Sequence, residues 1–336
     1  MGVKLSDLVV KREITFEQLS GKKIAVDFSN SAYQFLSSIR QRDGTPLMDN
    51  QGNSTSHLMG TWTRFSNLMQ LGIQLVIVLD GKAPDLKIKE QEERAHRKRM
   101  AQEKFEEARE EEDEERMAKY AKQTSRLTRD MTRESEELMK AMGLPVIRAP
   151  SESDAQMAFM CEQEDVYACA SSDYDCLLQG APRLITNLTL SQKRKLPSGI
   201  YVKITPELID LKETLTNLGV KQDQLIAIGI LVGTDYNEGI NRVGPKTALK
   251  LVKQYPSFDE LFKEVKADFN WKKIYAIFKS MPIMKNYQLK WHPPDEAKIK
   301  EILVEKHDFS PERVQATLDK LRTAAKKEQK GLGDFF

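Results

Sequence analysis

Seven acidic residues stand where the chain changes direction. Asp27 follows IAV, Asp80 follows LVIVL, and Asp173 and Asp175 lie in SSDYDCL behind an apolar run. Glu152 and Asp154 open a predicted helix in APSESDAQMAF (149–159), and Asp235 follows ILVGT. Singly, each has an ordinary reading. Asp27 can cap the SNS that follows it, Ser151 with Asp154 makes a capping box, and Asp235 can cap a turn. Gathered at one edge, the seven would repel one another by several kcal/mol unless protons or cations cancelled the charge. Mg²⁺ and Mn²⁺ favour oxygen ligands and keep several waters. The four histidines, His57, His96, His292 and His307, lie far apart with no ligand spacing and read as structural or surface residues. An all-oxygen set of this size points to a two-metal phosphoryl-transfer site.

The elements that must position these acids are legible as patterns. KKIAVDF (22–28), IQLVIVLD (73–80) and DVYACASSD (165–173) read as buried parallel strands, each ending in acid. Helical periodicity lies between them, as in SHLMGTWTRFSNLMQLG (56–72). Strands alternating with helices predict an α/β fold with a mostly parallel central sheet, whose ligands gather at the carboxyl ends of the strands. Between Pro84 and Gly143 there is no glycine or proline, and Glu, Arg, Lys, Ala and Met dominate. That span is helical by propensity, too polar for the core and without a sustained heptad, so it predicts an exposed helical excursion. Its acidic run EEEDEE (110–115) reads as a solvated face. Further on, GINRVGPK separates the apolar QLIAIGILV from the amphipathic TALKLVKQY, the form of a helix–hairpin–helix. Backbone N–H groups of the second helix's first turn can hold a phosphate there, with Arg242, Lys246, Lys250 and Lys253 nearby.

Composition sets bounds without choosing a partner. The chain has 336 residues, 40% hydrophobic and 30% charged, and 52 basic residues against 50 acidic leave a net charge of +2. Any nucleic-acid signal must therefore be local. Cys161, Cys169 and Cys176 form no CxxC pair and read as small core residues of a reducing compartment. The start MGVKLSDLVV lacks the apolar stretch of a signal peptide, and no run approaches the ~20 apolar residues of a membrane span. The expectation is a soluble, cytoplasmic monomer, or a nuclear one if eukaryotic.

IAVDFSNSAYQFL, IVLDGKAPDLK, APSESDAQ, SSDYDCLL and GTDYNEGINRVGPKTA stand in an order and spacing that resemble the flap endonuclease family of structure-specific 5′ nucleases. The resemblance runs the length of the chain, and its compact ending looks archaeal. It implies hydrolysis of DNA at the base of 5′ flaps with accompanying 5′–3′ exonuclease action, in replication (Okazaki fragment processing) and repair. Asp27, Asp80, Glu152, Asp154, Asp173, Asp175 and Asp235 then become ligands of two Mg²⁺, which Mn²⁺ can replace. Asp154 stands where eukaryotic members have a glutamate, a difference of reach rather than of kind. The resemblance also implies Lys87 and Arg94, seven residues apart, at the base of a helical arch, where they would stabilise charge on the scissile phosphate. Read without it, the pair would be two solvated charges. Tyr33 matches an aromatic that stacks beside the scissile bond, and Arg97, Lys98 and Arg99 become arch contacts to phosphate. The basic loop SQKRKLPSG (191–199) is a further candidate contact to duplex backbone. On this reading residues 1–326 form a single nuclease core, with the arch at about 82–135 and the helix–hairpin–helix, in which Gly244 and Lys246 meet DNA, at about 222–255.

The end of the chain, QKGLGDFF, places Gln329, Leu332, Phe335 and Phe336 in the spacing Q-x-x-L-x-x-F-F. One turn of 3₁₀-like helix puts Leu332 and the aromatic pair on one side as a plug. The pattern resembles the peptide with which replication proteins bind a PCNA-type sliding clamp, so residues 327–336 read as a flexible clamp-binding tail. Docking on the protein's own body is the other reading of the two phenylalanines. Two rivals remain for the whole chain. A non-catalytic DNA-junction binder that recruits replication factors would gain nothing from acids facing phosphate. A metal-dependent phosphatase or RNA nuclease would need neither arch nor hairpin.

Overall fold

Strands β2 (Lys23–Asp27), β3 (Gln74–Leu79) and β5 (Ala168–Ala170) form the centre of a seven-stranded sheet in a computed structural model of the chain. The structure describes residues 3–41, 43–110, 120, 124–190, 193–195 and 200–333; side chains are outside the description at 89–91, 94, 102, 108–110, 193–195, 201 and 326–333. The sheet is completed by β1 (Lys11–Glu13), β4 (Val146–Arg148), β6 (Arg183–Thr186) and β9 (Glu207–Asp210), in the order β1-β9-β6-β5-β2-β3-β4. The five strands from β6 to β4 run parallel. The pair β9 and β1 adds an antiparallel edge. A separate two-stranded ribbon joins β7 (Lys193–Lys195) to β8 (Tyr201–Lys203).

The central strands are apolar throughout because both their faces are covered. Ala25, Val76, Val78 and Cys169 point into one core, shared with Met157 and Met160 of the helix Ser153–Glu162 and with the helix Gln222–Val232. Ile24, Val26, Ile77 and Ala170 point into the other, which holds Phe35 of the helix Phe28–Ser38, Leu138 of the helix Arg129–Ala141, and Leu318 of the helix Pro311–Gly333. Alternating residues of one strand thus serve two cores, which fixes the register.

The α/β expectation therefore holds, with local differences. The strands β4, β6 and β9 are three or four residues long, too short to announce themselves by period. The helix expected over 56–72 is broken at its middle by a π-helical turn, Thr61–Phe65, between Ser56–Gly60 and Ser66–Gln70. The excursion begins with a 3₁₀ turn, Asp85–Lys87, and continues as the helix Ile88–Glu110. Most of EEEDEE lies outside the described residues. All three cysteines are buried and free, as core residues should be.

His57 and His307 are not far apart in space. His57 Nε2 lies 3.1 Å from Glu134 Oε2, His307 Nε2 lies 4.0 Å from Glu134 Oε1, and His307 Nδ1 lies 3.0 Å from Asp49 Oδ2. Sequence distance concealed this because the fold folds residue 307 back onto the loop at 49. The same Asp49 carboxylate accepts from the Asn53 and Gln51 N–H groups at 2.8 and 3.0 Å. Burial alone would raise its pKa, but these bonds outweigh it and hold the carboxyl down at about 2. A depressed carboxylate contributes stability above its unfolded value of about 3.9, and that contribution disappears as pH falls toward the folded value. Urea midpoints at pH 6 and pH 3 should therefore fall further for the wild type than for Asp49→Asn. Equal drops would show that Asp49 carries no acid-labile stability.

Candidate active site

The carboxyl ends of β2, β3 and β5 open onto one edge of the sheet, and the acids stand there. Asp27 ends β2; its Oδ1 accepts from the Asn30 N–H at 3.0 Å, capping the helix Phe28–Ser38, while Oδ2 faces the Ser171 hydroxyl at 3.4 Å. The cap thus occupies one oxygen of the carboxylate, and the other faces Ser171. Asp80 follows β3, and its Oδ1 accepts from the Ser153 N–H at 2.8 Å. The capping box expected from Ser151 and Asp154 does not form. Ser151 Oγ instead donates to the Lys82 carbonyl at 3.0 Å, and Glu152 is the N-cap residue without a side-chain cap. Asp80, at the end of β3, accepts from an orphan N–H of that helix, so one interaction locks two acid-bearing segments together.

The backbone enforces the same closeness. Gly81 N–H donates to the Ser151 carbonyl at 2.6 Å. A Cβ on Gly81 would lie 2.0 Å from the Ala149 carbonyl oxygen and 2.7 Å from that of Pro150. Only glycine lets the chain after Asp80 lie against the chain before Glu152.

Asp173 lies in the turn after β5, and Asp175 opens the short helix Asp175–Leu178, where its Oδ1 accepts from the Val3 N–H at 3.2 Å. Cys176 Sγ stands 2.8 Å from Asp154 Oδ1. Asp235 sits in the turn bridged by Thr234 and Asn237 after the helix Gln222–Val232. Lys87 reaches into this group: its Nζ is 2.5 Å from Glu152 Oε1 and 2.9 Å from Asp235 Oδ2. The Tyr236 hydroxyl donates to the other Glu152 oxygen.

The electrostatics report crowding. Burial, and then the neighbouring Asp80 and Asp173 carboxylates, push Asp27 up to about 7. Asp154 and Asp175 are raised well above the usual carboxylate range, by burial first; next come Cys176 and then other acids for Asp154, and Asp173 and Asp235 for Asp175. Burial would lower the Lys87 ammonium, but Glu152 and Asp235 more than reverse it and hold the side chain protonated. Buried carboxylates that resist ionisation together are a site awaiting positive charge. The donors are hard oxygens, so the residues fit divalent Mg²⁺ or Mn²⁺. Among the described residues no three such groups have closed to a single-ion cage, and Lys87 bridges two of the acids.

Comparisons with known proteins place the chain among its relatives. Residues 1–101 match the family model "XPG N-terminal domain", and residues 143–235 match "XPG I-region". "Flap endonuclease 1" of Staphylothermus marinus is 46% identical over 349 residues, covering 100% of both chains. That of Pyrococcus furiosus is 46% identical over 97% of this chain and 96% of its own. The chain belongs to the flap endonuclease family. The solved flap endonuclease-1 of Methanococcus jannaschii has a TM-score of 0.77 with it, at 40% identity, covering 97% of this chain and 100% of that one.

The outer residues of this family member are placed less completely. Tyr33 is exposed on the helix Phe28–Ser38, and Lys98 Nζ lies 4.5 Å from its ring centroid and 3.4 Å from its hydroxyl. Arg97 and Arg99 are exposed on the helix Ile88–Glu110. Arg94 belongs to the same helix, but its side chain lies outside the described residues, as do those of Gln329 and Leu332; Phe335 and Phe336 lie outside altogether. The backbone is helical to Gly333, so the helix Pro311–Gly333 extends into the segment read as a tail. Much of SQKRKLPSG is likewise outside the description. Gly244 is the N-cap of the helix Pro245–Gln254, with open space where a side chain would be, and Lys246 is exposed in its first turn. No described helix is long and apolar enough to cross a membrane. Sequence reading missed Tyr236 and Cys176. The only signal for either was adjacency to an acid, Asp235 or Asp175.

Proposed function

We propose that this protein is a metal-dependent, structure-specific nuclease that hydrolyses DNA at the base of a 5′ flap and also trims 5′ ends. The observation that carries the reading is the gathering of Asp27, Asp154 and Asp175 at the carboxyl ends of a parallel sheet, where burial first and neighbouring acidic groups next push their carboxyls up. Mg²⁺ is the cation proposed, two per site, held by these acids with Asp80, Glu152, Asp173 and Asp235. When bound, such ions supply Lewis-acid stabilisation and a water nucleophile near neutral pH. The chain's own part is to position the phosphate and neutralise its charge.

Lys87 carries a fixed positive charge at the mouth of the site, on the 3₁₀ turn from which the helix of Arg94 continues. Its ammonium would exchange a carboxylate oxygen for a non-bridging oxygen of the scissile phosphate, and Arg94 would approach from the next turns. Tyr33 would stack against the adjacent nucleotide once Lys98 leaves its ring face. Family membership, and not a junction binder's needs, accounts for the full acid set. Cleavage of labelled 5′-flap, nicked-duplex and single-strand DNA, with and without Mg²⁺, tests the reading. Flap cutting that survives chelation would overturn it.

The duplex is proposed to rest on the turn at Gly244. A phosphate can approach the first N–H groups of the helix Pro245–Gln254 because Gly244 leaves that space open. Lys246→Ala should lower duplex affinity and reduce the slope of log affinity against log salt by about one. A bulky residue at 244 should weaken binding further, with the cut position unchanged, since phosphate contacts carry no sequence information. An unaltered affinity and slope in Lys246→Ala would leave the turn a structural connection.

Gln329, Leu332, Phe335 and Phe336 are proposed to bind a PCNA-type clamp. Deletion of 329–336 should leave cleavage of a free flap oligonucleotide unchanged while abolishing pull-down by, and stimulation from, such a clamp. A loss of thermal cooperativity on deletion would instead place the phenylalanines in the protein's own core.

A further inference from the structure

Backbone N–H groups, an ammonium and a phenol orient most acids of the site, among them Asp173, whose Oδ1 accepts from the Tyr174 N–H at 2.9 Å. Asp27 and Asp80 accept from backbone N–H groups of Asn30 and Ser153, Asp175 from that of Val3, and Glu152 from Lys87 and Tyr236. Among the described residues, Asp154 takes its hydrogen bond from a thiol, Cys176 Sγ, at 2.8 Å. We infer that Cys176 is a positioning residue for the metal centre: its S–H aims the Asp154 carboxylate and fixes the separation between the two acid-bearing segments.

Two observations and one chemical argument converge on this assignment. Cys176 is fully buried, so no water competes for the bond. It lies in the helix Asp175–Leu178 directly after Asp175, whereas Asp154 lies in the first turn of the helix Ser153–Glu162; the bond therefore crosses from one pair of candidate ligands to the other. Once a cation displaces the proton of Asp154, its carboxylate is acceptor-only, and the proton of this bond then resides on sulfur. Partners of this kind orient a ligand's lone pairs without touching the ion, and removing one weakens metal binding by about tenfold or more.

The residue type follows from its surroundings. Cys176 also contacts Cys169, which in turn contacts Cys161, and all three are in the apolar core behind the site. A thiol packs as a small hydrophobe on that side and still donates weakly on the other. A bare core role predicts that any small residue serves equally. A positioning role predicts that the donor matters.

The inference rests on the metal reading proposed above, and its test separates the two. The full-length protein is titrated with Mn²⁺ in the absence of DNA, by electron paramagnetic resonance of the free ion, and Tm is recorded for each variant. Cys176→Ala should raise the Mn²⁺ dissociation constant about tenfold. Cys176→Ser, which restores a hydroxyl donor, should return it to within about threefold of wild type. Cys161→Ala removes a sulfur from the same cluster but bonds no site carboxylate; it should lower Tm comparably and leave Mn²⁺ affinity unchanged. In single-turnover cleavage, the Mg²⁺ concentration for half-maximal rate should shift with the Mn²⁺ constant across the series. Wild-type Mn²⁺ affinity in Cys176→Ala overturns the inference, as does an equal loss in Ala and Ser variants or in Cys161→Ala. Asp173→Ala is the reference. If it too binds Mn²⁺ like wild type, the metal reading has failed and the inference with it; if it loses binding while Cys176→Ala does not, only the inference falls.

Discussion

Replacing Asp173 by alanine is expected to reduce flap cleavage by more than about a hundredfold, because even outer partners of metal ligands are worth 10–100-fold. Flap-DNA affinity, measured in Ca²⁺ or without a divalent ion, should stay within a few fold of wild type or tighten. The acids face a polyanion, so removing one removes repulsion from the bound state. Asp80 calls for a different substitution. Its Oδ1 also caps the helix Ser153–Glu162 through the Ser153 N–H, and alanine would forfeit that bond, worth about 1 kcal/mol. Asp80→Asn keeps an acceptor at the cap while removing the charge, so it should inactivate with less loss of Tm than Asp80→Ala. Cleavage by Asp173→Ala or Asp80→Asn at more than about a tenth of the wild-type rate would remove these residues from the metal site.

Lys87→Ala should lower the single-turnover rate about a hundredfold, the scale of one preorganised contact to developing charge. Arg94→Ala should do the same, with DNA affinity little changed in either. Lys87 carries a second, separable consequence. Its ammonium bonds Glu152 and Asp235, and removing it takes one positive charge away from two buried carboxylates. The metal-free Lys87→Ala protein should therefore melt below wild type, and added Mg²⁺ should narrow the gap while the rate stays low. Recovery of rate together with Tm would mean that Lys87 only holds the acids in place. Lost affinity with an unchanged rate at saturation would make Lys87 and Arg94 positioning contacts.

What could be read from the sequence was what has a period or a charge. IAVDF and IQLVIVLD announced buried strands because alternate residues must satisfy two cores, and the acids at their ends followed from chain direction alone. The strand β4 at Val146–Arg148 did not announce itself, since three residues show no period, although it borders β3 and leads to Glu152. Lys87 could be named only through the family resemblance. Its place between Glu152 and Asp235 is a contact across 65 and 148 positions of chain, which no local pattern encodes. Tyr236 and Cys176 were hidden for another reason: a tyrosine or a cysteine after an acid is an ordinary core residue until the fold shows what its polar atom meets. Ser151 marks the opposite error. Its spacing to Asp154 suited a local cap, and a tertiary bond to the Lys82 carbonyl took its place.

The dispersal of the acids along the chain has a consequence for how the enzyme is made. A ribosome releasing the polypeptide amino end first presents Asp27 and Asp80 long before Asp235, and the edge strand β1 has no partner until β9 emerges at Glu207–Asp210. Trp291 Nε1 donates to the Leu75 carbonyl at 2.9 Å, a contact that waits until residue 291 has been made. A translation product that stops before residue 207 lacks both the partner of β1 and the carboxylate of Asp235 beside Lys87. Such a chain cannot gather all seven acids, so cutting waits for synthesis to pass Asp235.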